Sequence, residues 1–324
     1  MKPTIFIHTN DSQMIGAKVA ACSFKSRSSH PDKFDVQIIK LTDYPLLMSH
    51  EGDRYKRKGG MATWHNNDLQ SFSPLRFLPP QLMDYSGRAV VVDPDVFAVG
   101  DIYDLLQMDM NGKAIMARLT KSAYKGDSLK PFYATSVMLL DCEKLKHWQW
   151  ERKIEEMFQQ VWDYGDWISL RQEPDDTIGL LPEEWNHLDV LNRHTKLLHT
   201  TERSTQPWKT GLPVDFDLNY DKKKDNKKNN GKKIKLKKHI ISLIDKLRGN
   251  SDVSSDIPEK FYKKHPDQLQ EQLFFSYLKA CLDQKLITLS EVQDSMARNF
   301  VRHDALDILR DMKPFEWSVV SARD

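Results

Sequence analysis

Arg88-Ala89-Val90-Val91-Val92-Asp93-Pro94-Asp95 decides how the rest of this chain is read. Four apolar residues in a row, Ala89 to Val92, make a strand buried on both faces, as the strands of parallel sheets are. Two carboxylates then stand where that strand ends. Asp93 and Asp95 are two positions apart, so on an extended chain they project to the same side. Hard divalent cations take oxygen ligands, and Mg²⁺ is commonly held by one or two carboxylates together with phosphates. The carboxyl end of a strand is also where open α/β sheets bind their ligands. Read alone, the same three residues also make an ordinary turn, so the flanking sequence has to decide.

Outward from that strand, the first half alternates strands and helices. Thr4 to His8 reads as a strand, and Met14 to Phe24 as a helix after the turn Thr9-Asn10-Asp11-Ser12. Phe34 to Leu41 reads as a second strand. Residues 49–68 are polar, contain Gly59-Gly60, and read as a long loop. Ser73-Pro74 opens a helix running to Met83. A short helix from Ile102 to Met108 follows, then strands at Ala114 to Leu119 and Thr135 to Asp141. Glu143 to Trp162 reads as a long helical stretch. This rhythm predicts an α/β domain with a mainly parallel sheet flanked by helices.

The second half changes character. Residues 222–238 hold ten lysines against Asp225, a local charge of +9 in a chain of net charge +2, which leaves −7 on the remainder. Beyond it, Ile240, Ile241, Leu243, Ile244 and Leu247 form an apolar face. His265-Pro266 starts a helix carrying Leu269, Leu273, Tyr277 and Cys281. Ser290 with Gln293 has the spacing of a capping box, and Asp304 is placed to cap a last helix with Leu306 and Leu309. The expected organisation is an α/β domain over 1–220, a lysine-rich linker over 221–238 and a helical extension over 239–324.

The 324 residues, 40% hydrophobic and 10% aromatic, are enough for a sizeable core. Cys22, Cys142 and Cys281 are odd in number and far apart, which argues for a reducing compartment and against a disulfide framework or a zinc site. No signal-peptide apolar region precedes the first strand and no stretch approaches a membrane span, so the expected location is the cytoplasm. The lysine run reads first as a solvated linker. Its second reading is a patch for anionic lipid, at about 1 kcal/mol per basic residue, giving peripheral contact with the inner face of the membrane. Nucleic acid is the least favoured reading, because no aromatics interleave with the lysines, and no nucleic-acid partner is expected.

Four pieces, in order, resemble glycosyltransferase family 8, the retaining enzymes that include glycogenin and bacterial lipooligosaccharide galactosyltransferases. They are Thr9-Asn10-Asp11 with Gly16-Ala17; Leu75-Arg76-Phe77-Leu78 through Asp84-Tyr85-Ser86-Gly87-Arg88 to Asp93-Pro94-Asp95; Leu181-Pro182 with Trp185-Asn186; and His199 followed by Pro207-Trp208. The resemblance spans residues 4–210 and implies a GT-A, Rossmann-like fold. It implies a Mn²⁺ or Mg²⁺ ion held by Asp93, Asp95 and His199. It implies a nucleotide-sugar donor, expected to be a UDP-sugar, bound by Thr9, Asn10, Asp11, Gln13, Arg76, Pro94 and Lys209. Asp166 and Trp167 would stand where the family carries an Asp-Gln pair beneath the reacting carbon. The implied activity is transfer of a hexose, with retention, to a glycan, lipid-linked or protein acceptor.

Three positions depart from the family pattern. Ala134-Thr135-Ser136 replaces an Asn-x-Gly, Trp167 replaces the Gln, and Gln206 replaces the Lys before Pro-Trp, leaving Lys209 or Arg203 to supply that charge. These departures keep open a non-catalytic nucleotide- or partner-binding protein. A nucleotidyltransferase ranks third, since the Gly-rich basic loop it needs is absent. Taken singly, His199 also reads as an edge-strand histidine, Arg76 as a salt-bridge residue, Asp166 as a helix cap, Asp11 as a turn residue and Trp208 as a packing anchor.

Overall fold

The computed structural model describes residues 1–121, 131–215 and 261–323. The lysine run and the apolar face after it lie outside the described residues. Among the described residues, no helix is long and apolar enough to cross a membrane.

The fold is mixed α/β with a mainly parallel central sheet. Its six strands run in the order β2 (Asp35–Lys40), β1 (Thr4–Thr9), β5 (Arg88–Val92), β8 (Pro131–Asp141), β7 (Ile115–Lys121) and β9 (Ile178–Leu180). Only β8 runs against the others. Alternation along each strand divides the core in two. Ile5, Ile7, Val90, Val92, Val137 and Leu139 face one apolar cluster; Phe6, Ala89, Val91, Met138 and Leu140 face the other. Val90, Val91 and Val92 are fully buried, each worth about 1.5–3 kcal/mol.

Helix α1 (Met14–Arg27) covers the first face. Gly16 on α1 is required there, because a Cβ would meet the Pro94 carbonyl oxygen at 2.8 Å. The C-terminal helices join the same cluster: one at Gln268–Asp283, one at Leu289–Ala297, one at Ala305–Asp311 and a last at Trp317–Ser321. They are called α7 to α10, after the short α2 (Pro45–Met48), α3 (Pro79–Leu82), α4 (Ile102–Gln107), α5 (Trp150–Phe158) and α6 (Tyr164–Trp167). Leu273, Phe274 and Leu278 of α7 are buried, and Cys281 of α7 meets Cys22 of α1.

A second sheet pairs β11 (Leu197–His199) with β10 (His187–Leu188) on one side and with β6 (Val96–Ala98) on the other.

Several sequence expectations need correction. The stretch expected as a loop over 49–68 contains a hairpin, β3 (Arg54–Arg57) and β4 (Gly60–Thr63). Lys58 and Gly59 turn it with φ of +53° and +71°, the backbone of a tight hairpin turn. The helix expected over 143–162 is only Trp150–Phe158. Trp148 and Trp150 are both buried. Residues two apart point to different sides of a helix, so burying both favours extended chain before α5. The helix expected from Ser73 to Met83 is a 3₁₀ turn, Ser73–Phe77, followed by α3. The capping box is Thr288 with Glu291, two residues earlier than expected. Asp304 sits at the N-cap of α9 without a side-chain capping bond, and α9 is not the last helix.

Candidate metal and nucleotide site

Strand register assembles this site. Parallel pairing puts Ile7 of β1 opposite Val92 of β5, so the next residues, His8 and Asp93, come side by side. Antiparallel pairing puts Val92 opposite Val137 of β8, and the Asp93 amide donates to the Ser136 carbonyl at 2.9 Å. In the second sheet His199 pairs with Val96, and the Thr200 amide donates to the Asp95 carbonyl at 3.1 Å. Residues 105 or so apart in sequence thus meet at the edges of two sheets.

Asp93, Asp95 and His199 offer ligand atoms that all lie within 4.8 Å of one another, and together they can hold a divalent ion. His199 Nε2 stands 3.3 Å from Asp95 Oδ1 and 3.9 Å from Asp93 Oδ2. The other ring nitrogen, Nδ1, bonds Asn186 Oδ1 at 2.9 Å. An amide oxygen only accepts, so Nδ1 carries the proton and the Nε2 lone pair is turned towards the carboxylates. Asn186, fully buried, is fixed in turn by donating to Ser136 Oγ at 3.0 Å. Burial pushes the His199 pKa down, but the carboxylates of Asp95 and Asp93 outweigh it and raise it. A proton between these groups occupies the place that suits a cation.

Asp93 has a second set of partners. Arg76 clamps it with two bonds, Nη2 to Oδ2 at 2.6 Å and Nε to Oδ1 at 3.0 Å. His8 Nε2 reaches Oδ1 at 2.7 Å. Burial works against the Asp93 charge, but Arg76 and then His8 hold its carboxyl well below the usual carboxylate range. Burial also lowers the His8 pKa, so His8 is the neutral imidazole donating from Nε2. The remaining Arg76 nitrogen, Nη1, donates to Thr135 Oγ1 at 3.0 Å, and that hydroxyl donates to the Ile168 carbonyl at 2.8 Å. The departing residues Thr135 and Ser136 are therefore the props of Arg76 and Asn186.

Several buried polar atoms here have no hydrogen-bond partner: Gln206 Oε1, Trp208 Nε1, His8 Nδ1 and both amide atoms of Gln13. Unpaired buried polar groups are costly unless something else satisfies them. Their concentration beside Asp95 and at the start of α1 fits a polar ligand bound to an ion there.

The other sequence candidates are distributed as follows. Thr9 is buried, its hydroxyl on the Asn10 carbonyl. Asn10 caps the turn, its Oδ1 accepting from the Gln13 amide at 3.2 Å. Asp11 pairs with Lys40 at 2.7 Å and with Arg298 at 3.2 Å. Gln206 donates to Asp95 Oδ2 at 3.3 Å. Lys209, expected beside the donor, is fully buried on Asp215 and over the Tyr262 ring; burial lowers its pKa. Trp167 is packed in the core, stacked on Phe77 at 4.4 Å and edge-on to Trp162, which commits one face of its ring. Asp166 pairs with Arg171 at 3.1 Å. The capping residue of α6 is Asp163, whose carboxylate takes the Gly165 amide and the Lys58 and Gly59 amides of the hairpin turn. Trp208 stacks on Phe274 of α7 at 4.7 Å.

His8 was not legible as a site residue. A lone histidine in a strand carries no signal until the β1–β5 register is known. Asn186 stands out in the sequence only as part of Trp185-Asn186, and its role follows from its bond to His199.

Replacing Asn186 with alanine frees the His199 ring to turn. Partners that orient a metal ligand are worth about 10–100-fold in metal affinity. We expect Asn186→Ala to weaken Mn²⁺ binding by that factor, measured by calorimetry. Unchanged affinity would show that Asn186 does not orient His199.

No protein-family model matches this chain. A curated Arabidopsis thaliana protein, Protein CDI, is 27% identical over 221 residues, 64% of this chain and 78% of that protein. Among solved structures, the glycosyltransferase GlyE of Streptococcus pneumoniae TIGR4 is similar at a TM-score of 0.43 and 14% identity, over 64% of this chain. The match spans little more than half of GlyE, 56% of its chain. The galactosyltransferase LgtC, solved with donor and acceptor sugar analogs, is similar at a TM-score of 0.43 and 14% identity, over 64% of this chain and 89% of LgtC.

Proposed function

We propose that this protein is a metal-dependent glycosyltransferase of GT-A type. It moves a hexose from a nucleotide-sugar, a UDP-sugar in our reading, to an oxygen of a glycan, lipid-linked or protein acceptor, with retention at the anomeric carbon. The observation that carries the reading is the Asp93, Asp95 and His199 cluster at the carboxyl edge of the parallel strands. Strand order there reverses: β1 is flanked by β2 on one side and β5 on the other, the kind of crevice in which open α/β sheets bind ligands.

Asp93, Asp95 and His199 would hold Mn²⁺ or Mg²⁺, which would neutralise charge on the departing nucleoside diphosphate. In the transfer, the bond from the anomeric carbon to the diphosphate oxygen breaks and a bond to the acceptor oxygen forms. The nucleoside diphosphate leaves with the electron pair of the broken bond and takes up the proton that the acceptor hydroxyl loses. Arg76 keeps Asp93 ionised and aimed. Asn186 keeps the His199 lone pair inward. Thr135 ties Arg76 to Ile168, just past α6, where Asp166 and Trp167 lie. The core position of Trp167 favours one second reading, nucleotide binding without transfer.

Incubation with a panel of UDP-sugars, Mn²⁺ and simple acceptors should release UDP, and a chelator should stop it. Failure of every nucleotide-sugar to bind or turn over with Mn²⁺ or Mg²⁺ sinks the proposal. Binding without release across broad acceptor panels selects the second reading.

A further inference from the structure

The C-terminal helices reach the turn after β1. Arg298, the C-cap residue of α8, bonds Asp11 Oδ2 through Nη2 at 3.2 Å, while Lys40 at the end of β2 takes Asp11 Oδ1 at 2.7 Å. Further along α1, Lys18 pairs with Glu291 of α8. Arg302 donates its backbone amide to the Trp208 carbonyl at 2.7 Å and bonds Glu271 of α7 at 3.1 Å. Tyr277 of α7 bonds the Ala98 carbonyl of β6 at 2.5 Å. The helices thus grip the segments that carry both halves of the site.

The Asp11 turn is where a nucleoside belongs if the diphosphate sits on the ion at Asp93 and Asp95. It lies at the carboxyl end of β1, beside β5, on the crevice side. It also contains Gln13, nearly fully buried, with a donor and an acceptor atom both unpaired. A side-chain amide of that kind matches the paired donor and acceptor groups on a nucleobase edge or the hydroxyls of a ribose.

We propose that α8 completes the nucleoside subsite, with Arg298 as the positioning residue that holds the Asp11 carboxylate beside the Gln13 amide. This rests on the nucleotide-sugar reading. The bonds to Lys40 and Arg298 keep Asp11 ionised and acceptor-only, suited to an N–H of a base or a hydroxyl of the sugar. Each carboxylate oxygen retains a lone pair for that contact. The ion pairs are partly exposed, with side chains of Arg298 and Asp11 at 47% and 37% of full exposure, and such pairs contribute little to stability. Their loss should therefore show in binding before it shows in folding.

The test compares the full chain with Arg298→Ala and Arg298→Lys by calorimetry with Mn²⁺. The probes are UDP, GDP, CDP and ADP, with pyrophosphate as the probe that lacks a nucleoside. Arg298→Ala should bind the preferred nucleotide about tenfold more weakly, bind Mn²⁺-pyrophosphate as the wild type does, and keep its melting temperature. Arg298→Lys should recover most of the loss. An Arg298→Ala variant with unchanged nucleotide affinity overturns this inference and leaves the proposed function standing. Equal weakening towards pyrophosphate also overturns it, since a general structural effect would do that. A wild type that binds none of the four nucleotides overturns the proposed function and this inference with it.

Discussion

Asp95→Ala should abolish metal-dependent nucleotide binding and leave a folded protein. Partners that merely orient a ligand are worth about 10–100-fold in metal affinity, so a ligand itself should cost more than about 100-fold. The structural cost is small. Asp95 accepts one long side-chain bond, from Gln206 at 3.3 Å, and its Oδ1 faces His199 Nε2 at an equally long 3.3 Å. A typical bond of this kind contributes about 1 kcal/mol, which in a chain of this size moves Tm by about 2–4 °C. The wild type should gain thermal stability from Mn²⁺ with UDP, because a ligand that binds only the native state stabilises it. The variant should show no such gain. Retained Mn²⁺-dependent stabilisation in Asp95→Ala would remove Asp95 from the ligand set.

The two carboxylates of Asp93-Pro94-Asp95 were equivalent in sequence and are not equivalent in the fold. Val90 to Val92 announced a buried strand because no polar residue interrupts them, and the strand is there. What followed could be read as a pair of ligands because alternation puts both on one side. The difference between them depends on which strands flank β5. Register with β1 gives Asp93 the His8 ring, and the turn before α3 gives it Arg76. Asp95, one step further out, meets β11 instead. These are contacts across 17 to 104 residues of chain, and no local pattern encodes them. The same limit hid Arg298, 287 residues from Asp11. The hairpin was missed for another reason. Arg54-Tyr55-Lys56-Arg57 is too polar to read as a strand, and only Gly59-Gly60 marked the turn. The capping box failed narrowly, since Thr288 with Glu291 and Ser290 with Gln293 satisfy the same spacing.

Arg76→Met should destabilise the protein by about 3–5 kcal/mol, the usual result of removing one partner from a buried ion pair. Arg76 and Asp93 side chains are 9% and 12% exposed, and the guanidinium satisfies both carboxylate oxygens. Without it, the Asp93 charge is left with a neutral His8, and water cannot reach it freely. Removing both charges should be less harmful than removing one. In Arg76→Met/Asp93→Asn the side-chain amide can accept from His8 Nε2, and the methionine fills part of the arginine stem. We expect the double variant to be more stable than Arg76→Met alone, as measured by urea denaturation with a chelator present. That outcome would assign the cost to a stranded charge. If the two single losses simply add, Arg76 acts by packing, and the clamp is not the reason Asp93 stays ionised. The double variant should fold and still bind no metal, because its amide lacks the charge an ion needs. Asp93 would then be a ligand whose own counter-ion holds it in place, and Arg76 the residue that makes a buried carboxylate tolerable before the ion arrives.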